Sequence, residues 1–189
     1  MCDKKILILL AGMPGSGKSV VADVGNELGY VTVSMGDLVR EEAKKRRIPL
    51  TREAIMRLAL RLREEEGDGA VAVRTVKRVK KVADEGAKKI IVDGVRSLAE
   101  VNVFKRLLSE FKIILLAVHS SPRTRFKRIV ERGRSDDPSR WEDFVKRDEE
   151  ELRMGVGNVI ALADYMIVNE EIDVDEFKRK VRKLLRELG

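Results

Sequence analysis

The chain has 189 residues, of which 43% are hydrophobic and 38% charged, with a formal net charge of +7. That length suits one domain with a full core, and apolar residues gathered into periodic segments exclude a disordered chain. Cys2, the single cysteine, leaves no internal disulfide and no cysteine-based metal site, and apolar runs such as ILILLAG are too short to span a bilayer, so a soluble, cytoplasmic protein is expected, as a monomer or homodimer.

Five apolar runs follow one another along the chain: ILILLA (6–11), VTVS (31–34), KIIVDG (89–94), IILLAVH (113–119) and YMIVN (165–169). Runs this continuous suit strands buried on both faces of a parallel sheet. Helical periods fill 17–28, 36–46, 52–66, 69–85, 97–109, 121–132, 139–152 and 173–188, so the expected fold is α/β, with helices covering a parallel sheet. Roughly fifty residues separate the second run from the third, more than one crossover helix needs. Segments 36–85 and 121–152 therefore read as insertions above the sheet, at the carboxyl ends of the strands, where ligands bind in such folds.

The first run leads into GMPGSGKS. Gly12, Gly17, Lys18 and Ser19 fill the pattern G-x-x-x-x-G-K-[ST] between a predicted strand and a predicted helix, the context that such a phosphate loop requires. Glycines let backbone N–H groups turn inward around an anion, and the following helix adds its positive dipole end. Residues Gly12, Met13, Pro14, Gly15, Ser16, Gly17, Lys18 and Ser19 are thus candidates for nucleotide binding. Lys18 would reach the β- and γ-phosphates, and the Ser19 hydroxyl would ligate Mg²⁺.

With this loop in place, the chain resembles the P-loop nucleoside-monophosphate kinases, adenylate kinase above all, together with dephospho-CoA kinase and an archaeal family of kinase-like P-loop proteins related to both. The resemblance covers the whole chain. It implies a three-layer P-loop fold on a five-stranded parallel sheet, with an acceptor-binding helical insertion, a short lid, and ATP and Mg²⁺ as cofactors. SMGDLVREEAKKR (34–46) is similar to the adenylate-kinase segment whose arginine holds the acceptor's phosphate, which implies that Arg40 grips that phosphate and Asp37 lies near the acceptor. Helix capping by Ser34 or Asp37 is the other reading of the same residues. IIVDGVRS (90–97) resembles the Asp-Gly-x-Pro-Arg element, one residue shorter and without its proline. Asp93 is then a candidate for holding Mg²⁺ or for capping the next helix, and Arg96 a candidate for meeting an acceptor phosphate.

Arg128, Arg132, Arg134 and Arg147 recur in a segment similar to a short adenylate-kinase lid, with an Arg-x-Asp-Asp element at Arg134, Asp136 and Asp137. Phosphoryl transfer asks mainly for cations and alignment, and guanidinium forks suit it; two of these four are expected to act. The closing ALADYMIVNEE (161–171) resembles dephospho-CoA kinases and makes Asn169 a nucleotide-site candidate, with strand termination as its alternative role. His119 lacks a partner for a metal site, and Trp141 is expected to pack the lid.

The expected activity is Mg-dependent transfer of the ATP γ-phosphate to a small nucleotide-like acceptor, with Asp37 as proton acceptor if that acceptor is an alcohol. The basic charge keeps open a P-loop ATPase, or a nucleotide-dependent binding protein, acting on RNA or a protein partner, although no aromatic-bearing basic strand offers a nucleic-acid platform. Gln is absent and Asn rare beside abundant Lys, Arg and Glu, a composition that points to a thermophilic source.

Overall fold

A computed structural model describes residues 4–134 and 137–189. Its sheet has five strands, all parallel, in the order β2-β3-β1-β4-β5: β1 Ile6–Ala11, β2 Val31–Ser34, β3 Lys89–Asp93, β4 Lys112–His119 and β5 Tyr165–Val168. Leu7 to Ala11 are all fully buried because successive side chains of a strand point to opposite faces and both faces carry helices. Leu7 and Leu9 pack on one side with Val39, Val76, Phe104 and Val159. Ile8 and Leu10 pack on the other with Val21, Val24, Phe177 and Val181. The first face is covered by α2 Met35–Lys45, α3 Arg52–Glu66, α4 Ala70–Asp84, α5 Leu98–Leu107 and α8 Val156–Ala161, the second by α1 Lys18–Glu27 and α9 Val174–Leu188.

Helix starts follow capping chemistry. Ser34, Thr51, Ser97, Ser121 and Asp173 each accept a hydrogen bond from a first-turn N–H of α2, α3, α5, α6 (Pro122–Arg132) and α9, satisfying donors that the helix cannot. Ser34, not Asp37, therefore caps α2, and Ser97, not Asp93, caps α5. The helix expected over 139–152 is α7, Trp141–Arg153, and α8 is an element that the sequence pattern did not announce. Register aligns Leu10 and Ser34 with Asp93, so β1, β2 and β3 end together. The loop after β1, the start of α2 and Asp93 consequently share the carboxyl edge of the sheet.

Candidate active site

Six residues, Gly12 to Gly17, separate β1 from α1. Gly15 (φ 82°) and Gly17 (φ 109°) adopt left-handed conformations. A Cβ at Gly15 would lie 2.8 Å from the Arg125 carbonyl oxygen, and one at Gly17 would lie 2.5 Å from Asn169 Nδ2; the turn closes only with glycine there. Helix α1 has neither a side-chain cap nor an acid in its first turn, which leaves its N-terminal donors and positive end to an external anion. A cavity of about 450 Å³ opens there, bounded on this side by Gly12, Pro14, Gly15, Gly17, Lys18 and Ser19. Met13 and Ser16 stay out of its lining: Met13 offers its carbonyl, and Ser16 is buried with an unpartnered Oγ. Lys18 Nζ donates to Gly12 O at 2.6 Å and to Met13 O at 3.4 Å. Burial pulls its pKa below the usual value while the Asp93 carboxylate opposes.

Asp93, at the end of β3, faces the same cavity as Ser19. Its Oδ1 is buried without a hydrogen-bond partner, a costly state for a carboxylate oxygen unless something else satisfies it. A hard cation is such a group. No cluster of three or more acids, histidines or cysteines able to hold a metal exists among the described residues, so an all-protein cage is not built here. One carboxylate and one hydroxyl beside a phosphate loop fit Mg²⁺, which completes its shell with phosphate and water.

Arg96, Arg128, Arg132, Arg134 and Arg147 line the same cavity. Arg96 Nε donates to Glu151 Oε2 at 2.9 Å and Nη1 to Gly94 O at 3.0 Å. The Glu151 carboxylate raises the Arg96 pKa. For Glu151 itself, burial pushes upward, yet Arg96 wins and holds its carboxyl below the usual range. Asp137 accepts two bonds from Arg132, at 2.6 and 2.7 Å, and one from Arg147 at 3.2 Å. Arg147 Nε is buried without a partner, and burial together with nearby Arg52 lowers the Arg147 pKa. The backbone N–H of Arg134 donates to Asp137 at 3.3 Å; Asp136 lies outside the described residues. Arg128 donates to Ser120 Oγ and to Asn169 O and Oδ1, while Asn169 Nδ2 donates to Ser16 O at 2.9 Å. Asn169 thus ties the end of β5 to the phosphate loop as well as lining the cavity.

A second cavity, of about 710 Å³, lies between α2, α3, α4 and α7, with Arg40 in its lining. Arg96, Arg147 and Glu151 border both cavities. Asp37 borders neither; its side chain is 65% exposed and accepts from Arg40 at 2.8 Å. Two residues that sequence reasoning passed over are central here. Glu151 stands four residues after Arg147, a spacing that puts both on one helix face. Arg125, 3% exposed, joins the Pro14 carbonyl to Asp148 of α7; its spacing to Arg128 and Arg132 marked a shared face of α6.

A parallel sheet in this order, with a phosphate loop after its central strand and arginines above it, defines a P-loop kinase fold. Residues 11–144 match the family model described as an AAA domain. A UPF0200 protein from Hyperthermus butylicus is 51% identical over 184 residues, covering 97% of this chain and 95% of that one, and the chain belongs to the UPF0200 family. Among solved structures, TT1252 from Thermus thermophilus superposes with a TM-score of 0.69 over 99% of this chain and all of its own, at 20% identity. Shikimate kinase from Acinetobacter baumannii, in complex with shikimate, gives a TM-score of 0.58 over 96% of this chain and 93% of its own, at 14% identity. At such identities these likenesses speak for the fold. No helix among the described residues is long and apolar enough to cross a membrane.

Proposed function

We propose that this protein is a Mg-dependent ATP phosphotransferase that delivers the γ-phosphate to a small anionic acceptor. The observation that carries the reading is that two cavities, one at the phosphate loop and one under the helical insertion, meet at Arg96, Arg147 and Glu151. Donor and acceptor held on either side of that wall would present γ-phosphorus and attacking oxygen to each other, and alignment supplies much of the barrier reduction in such reactions. Lys18 and the loop amides would hold the β- and γ-phosphates. Arg132, Arg134 and Arg147, from a lid formed by 121–152, would meet charge spreading over the transferred group, with Arg128 and Asn169 on the nucleotide side. Ser19 and Asp93 would hold Mg²⁺, which when bound would neutralise phosphate charge during transfer. Arg40 and Arg96 would receive the acceptor's anionic end. The solved neighbour named as a kinase adds support.

Phe126, Trp141 and Phe144 pack on one another, which engages the faces that an RNA-acting alternative would need for stacking. The test is acceptor-dependent ADP release with Mg-ATP. Parent protein should turn over only with an acceptor and should stop on Mg²⁺ removal, and Lys18→Ala should lose about 10²–10³ in kcat, the scale for losing one charge stabiliser. ADP release indifferent to Lys18 and to every acceptor refutes the reading.

A further inference from the structure

The second cavity has an anion-recognising end and, away from it, an aliphatic patch set among polar side chains. Five arginines border it, and each already holds an acid: Arg40 pairs with Asp37, Arg52 with Glu150, Arg63 with Glu100, Arg96 with Glu151 and Arg147 with Asp137. Donors remain on Arg147, whose buried Nε has no partner, and on Arg96, whose Nη2 makes no hydrogen bond among the described residues. Both stand where the two cavities meet, so an acceptor anion there lies beside the phosphate loop. Away from that junction the wall mixes an aliphatic patch with Arg40, Thr51, Arg52, Glu53 and Arg63. Val39 and Val71 are buried, Ile55, Met56, Ala59 and Met154 are half-buried, and none of them borders the first cavity.

An aromatic ring to stack on a nucleobase, and an amide to pair with its edge, are missing from this wall. Bases are held by stacking on aromatic side chains and by hydrogen bonds to their edges. No aromatic ring and no amide side chain lines the cavity, and the chain contains no Gln. Thr51 Oγ1 already accepts the Ala54 N–H as the cap of α3, and Glu53 faces solvent. Two flexible methionines beside branched aliphatics form instead a surface that adapts to an alkyl chain.

We propose that the acceptor is an aliphatic monophosphate, a phosphate ester of an alkyl or branched-chain alcohol without a nucleobase, and that the product is the corresponding diphosphate. This rests on the phosphotransferase reading above. A non-bridging oxygen of the acceptor phosphate forms the new bond to the γ-phosphorus. The bond from that phosphorus to the β,γ-bridging oxygen breaks, and ADP leaves with its electron pair. A dianionic acceptor phosphate carries no proton to be removed at the attacking oxygen, so no general base is required, and the absence of Asp37 from the lining of both cavities costs the reaction nothing.

The test titrates ethyl, butyl and hexyl phosphate, AMP and CMP into protein saturated with Mg-ADP by calorimetry, and follows the same compounds with Mg-ATP by phosphorus NMR. Kd should fall about fourfold per added methylene, the value of burying one such group, until the cavity is filled. Hexyl phosphate should bind more tightly than either nucleotide and yield hexyl diphosphate, hexanol should not be phosphorylated, and Met56→Gln should flatten the chain-length series. A flat series, or a nucleoside monophosphate that binds more tightly and reacts faster, overturns the assignment. Chain-length-dependent binding with no transfer upholds the ligand class and sinks the phosphotransferase reading, whereas transfer to AMP alone does the reverse.

Discussion

Replacing Arg125 with methionine tests how the phosphate loop is braced. The Arg125 side chain is 4% exposed and donates to both oxygens of Asp148, at 2.8 and 2.5 Å, while Asp148 is 13% exposed. It also donates to Ser120 O at 3.1 Å and to Pro14 O at 3.2 Å, and its guanidinium lies 5.1 Å from the Phe144 ring centre. Methionine keeps most of the stem and removes the charge, stranding the Asp148 carboxylate out of water. Breaking a buried pair from one side costs about 3–5 kcal/mol. At about 2–4 °C per kcal/mol for a chain of this size, the midpoint of thermal unfolding should drop by about 6–20 °C. The variant should still fold, since total stability runs to about 5–15 kcal/mol. Near-ultraviolet circular dichroism of Trp141, which packs on Phe144, gives the melt. Adding Asp148→Leu should recover most of the loss by removing the stranded charge. A single variant within about 1 kcal/mol of the parent, or a double variant as unstable as the two singles added, refutes the reasoning.

Gly17→Ala should weaken nucleotide binding at least tenfold by calorimetry, because its Cβ would need the space of Asn169 Nδ2 and Phe177 in a left-handed turn; unchanged affinity would mean that the loop can rebuild. Saturating Mg-ATP at about 100 times Kd should stabilise the parent by about 2.7 kcal/mol, and Lys18→Ala should lose most of that thermal shift at the same concentration. Hydrogen bonds from Thr124 and Ser121 hold the Glu170 carboxyl down to about 2, against 4.5 for the free group. A depressed carboxyl lends stability that is complete above its unfolded value and lost as pH falls through the folded one. The melting temperature should therefore decline between about pH 4.5 and 2, with a shallower slope in Glu170→Gln; equal slopes remove Glu170 from the account.

Strands β1, β3 and β4 were legible because burial on both faces writes an unbroken apolar run, as in ILILLA, although the edge strands β2 and β5 are only partly buried. The phosphate loop was legible because its glycines and Lys18 fall within the short segment 12–18. Helix α8 was not, since VGNVIA begins after Gly155 without a side-chain cap and is only six residues long, too short for a period to register. Asp37 lies outside the lining of both cavities for a reason written in α2. Met35, Val39 and Ala43 form the buried stripe of α2, and position 37 falls away from it, so the carboxylate turns to solvent and to Arg40. Arg40, four residues after Gly36, comes round to the cavity. The pairing of Arg125 with Asp148 joins α6 to α7 and depends on how those helices pack, which spacing within either one does not determine.

The carboxylates at the site explain how so many cations stay in one place. Six cationic side chains, Lys18, Arg96, Arg128, Arg132, Arg134 and Arg147, border the cavity at the phosphate loop against two carboxylates, Asp93 and Glu151. Confined around about 450 Å³, these groups repel one another at distances where solvent screens poorly. Glu151 offsets Arg96, and Asp137, just outside, offsets Arg132 and Arg147. Each acid also fixes the direction of the guanidinium it holds, so the arginines need little reorganisation when an anion arrives. The lining thereby keeps six cations against two carboxylates around one concave site of about 450 Å³. Such an excess, oriented in advance, suits a polyanionic small molecule held inside it.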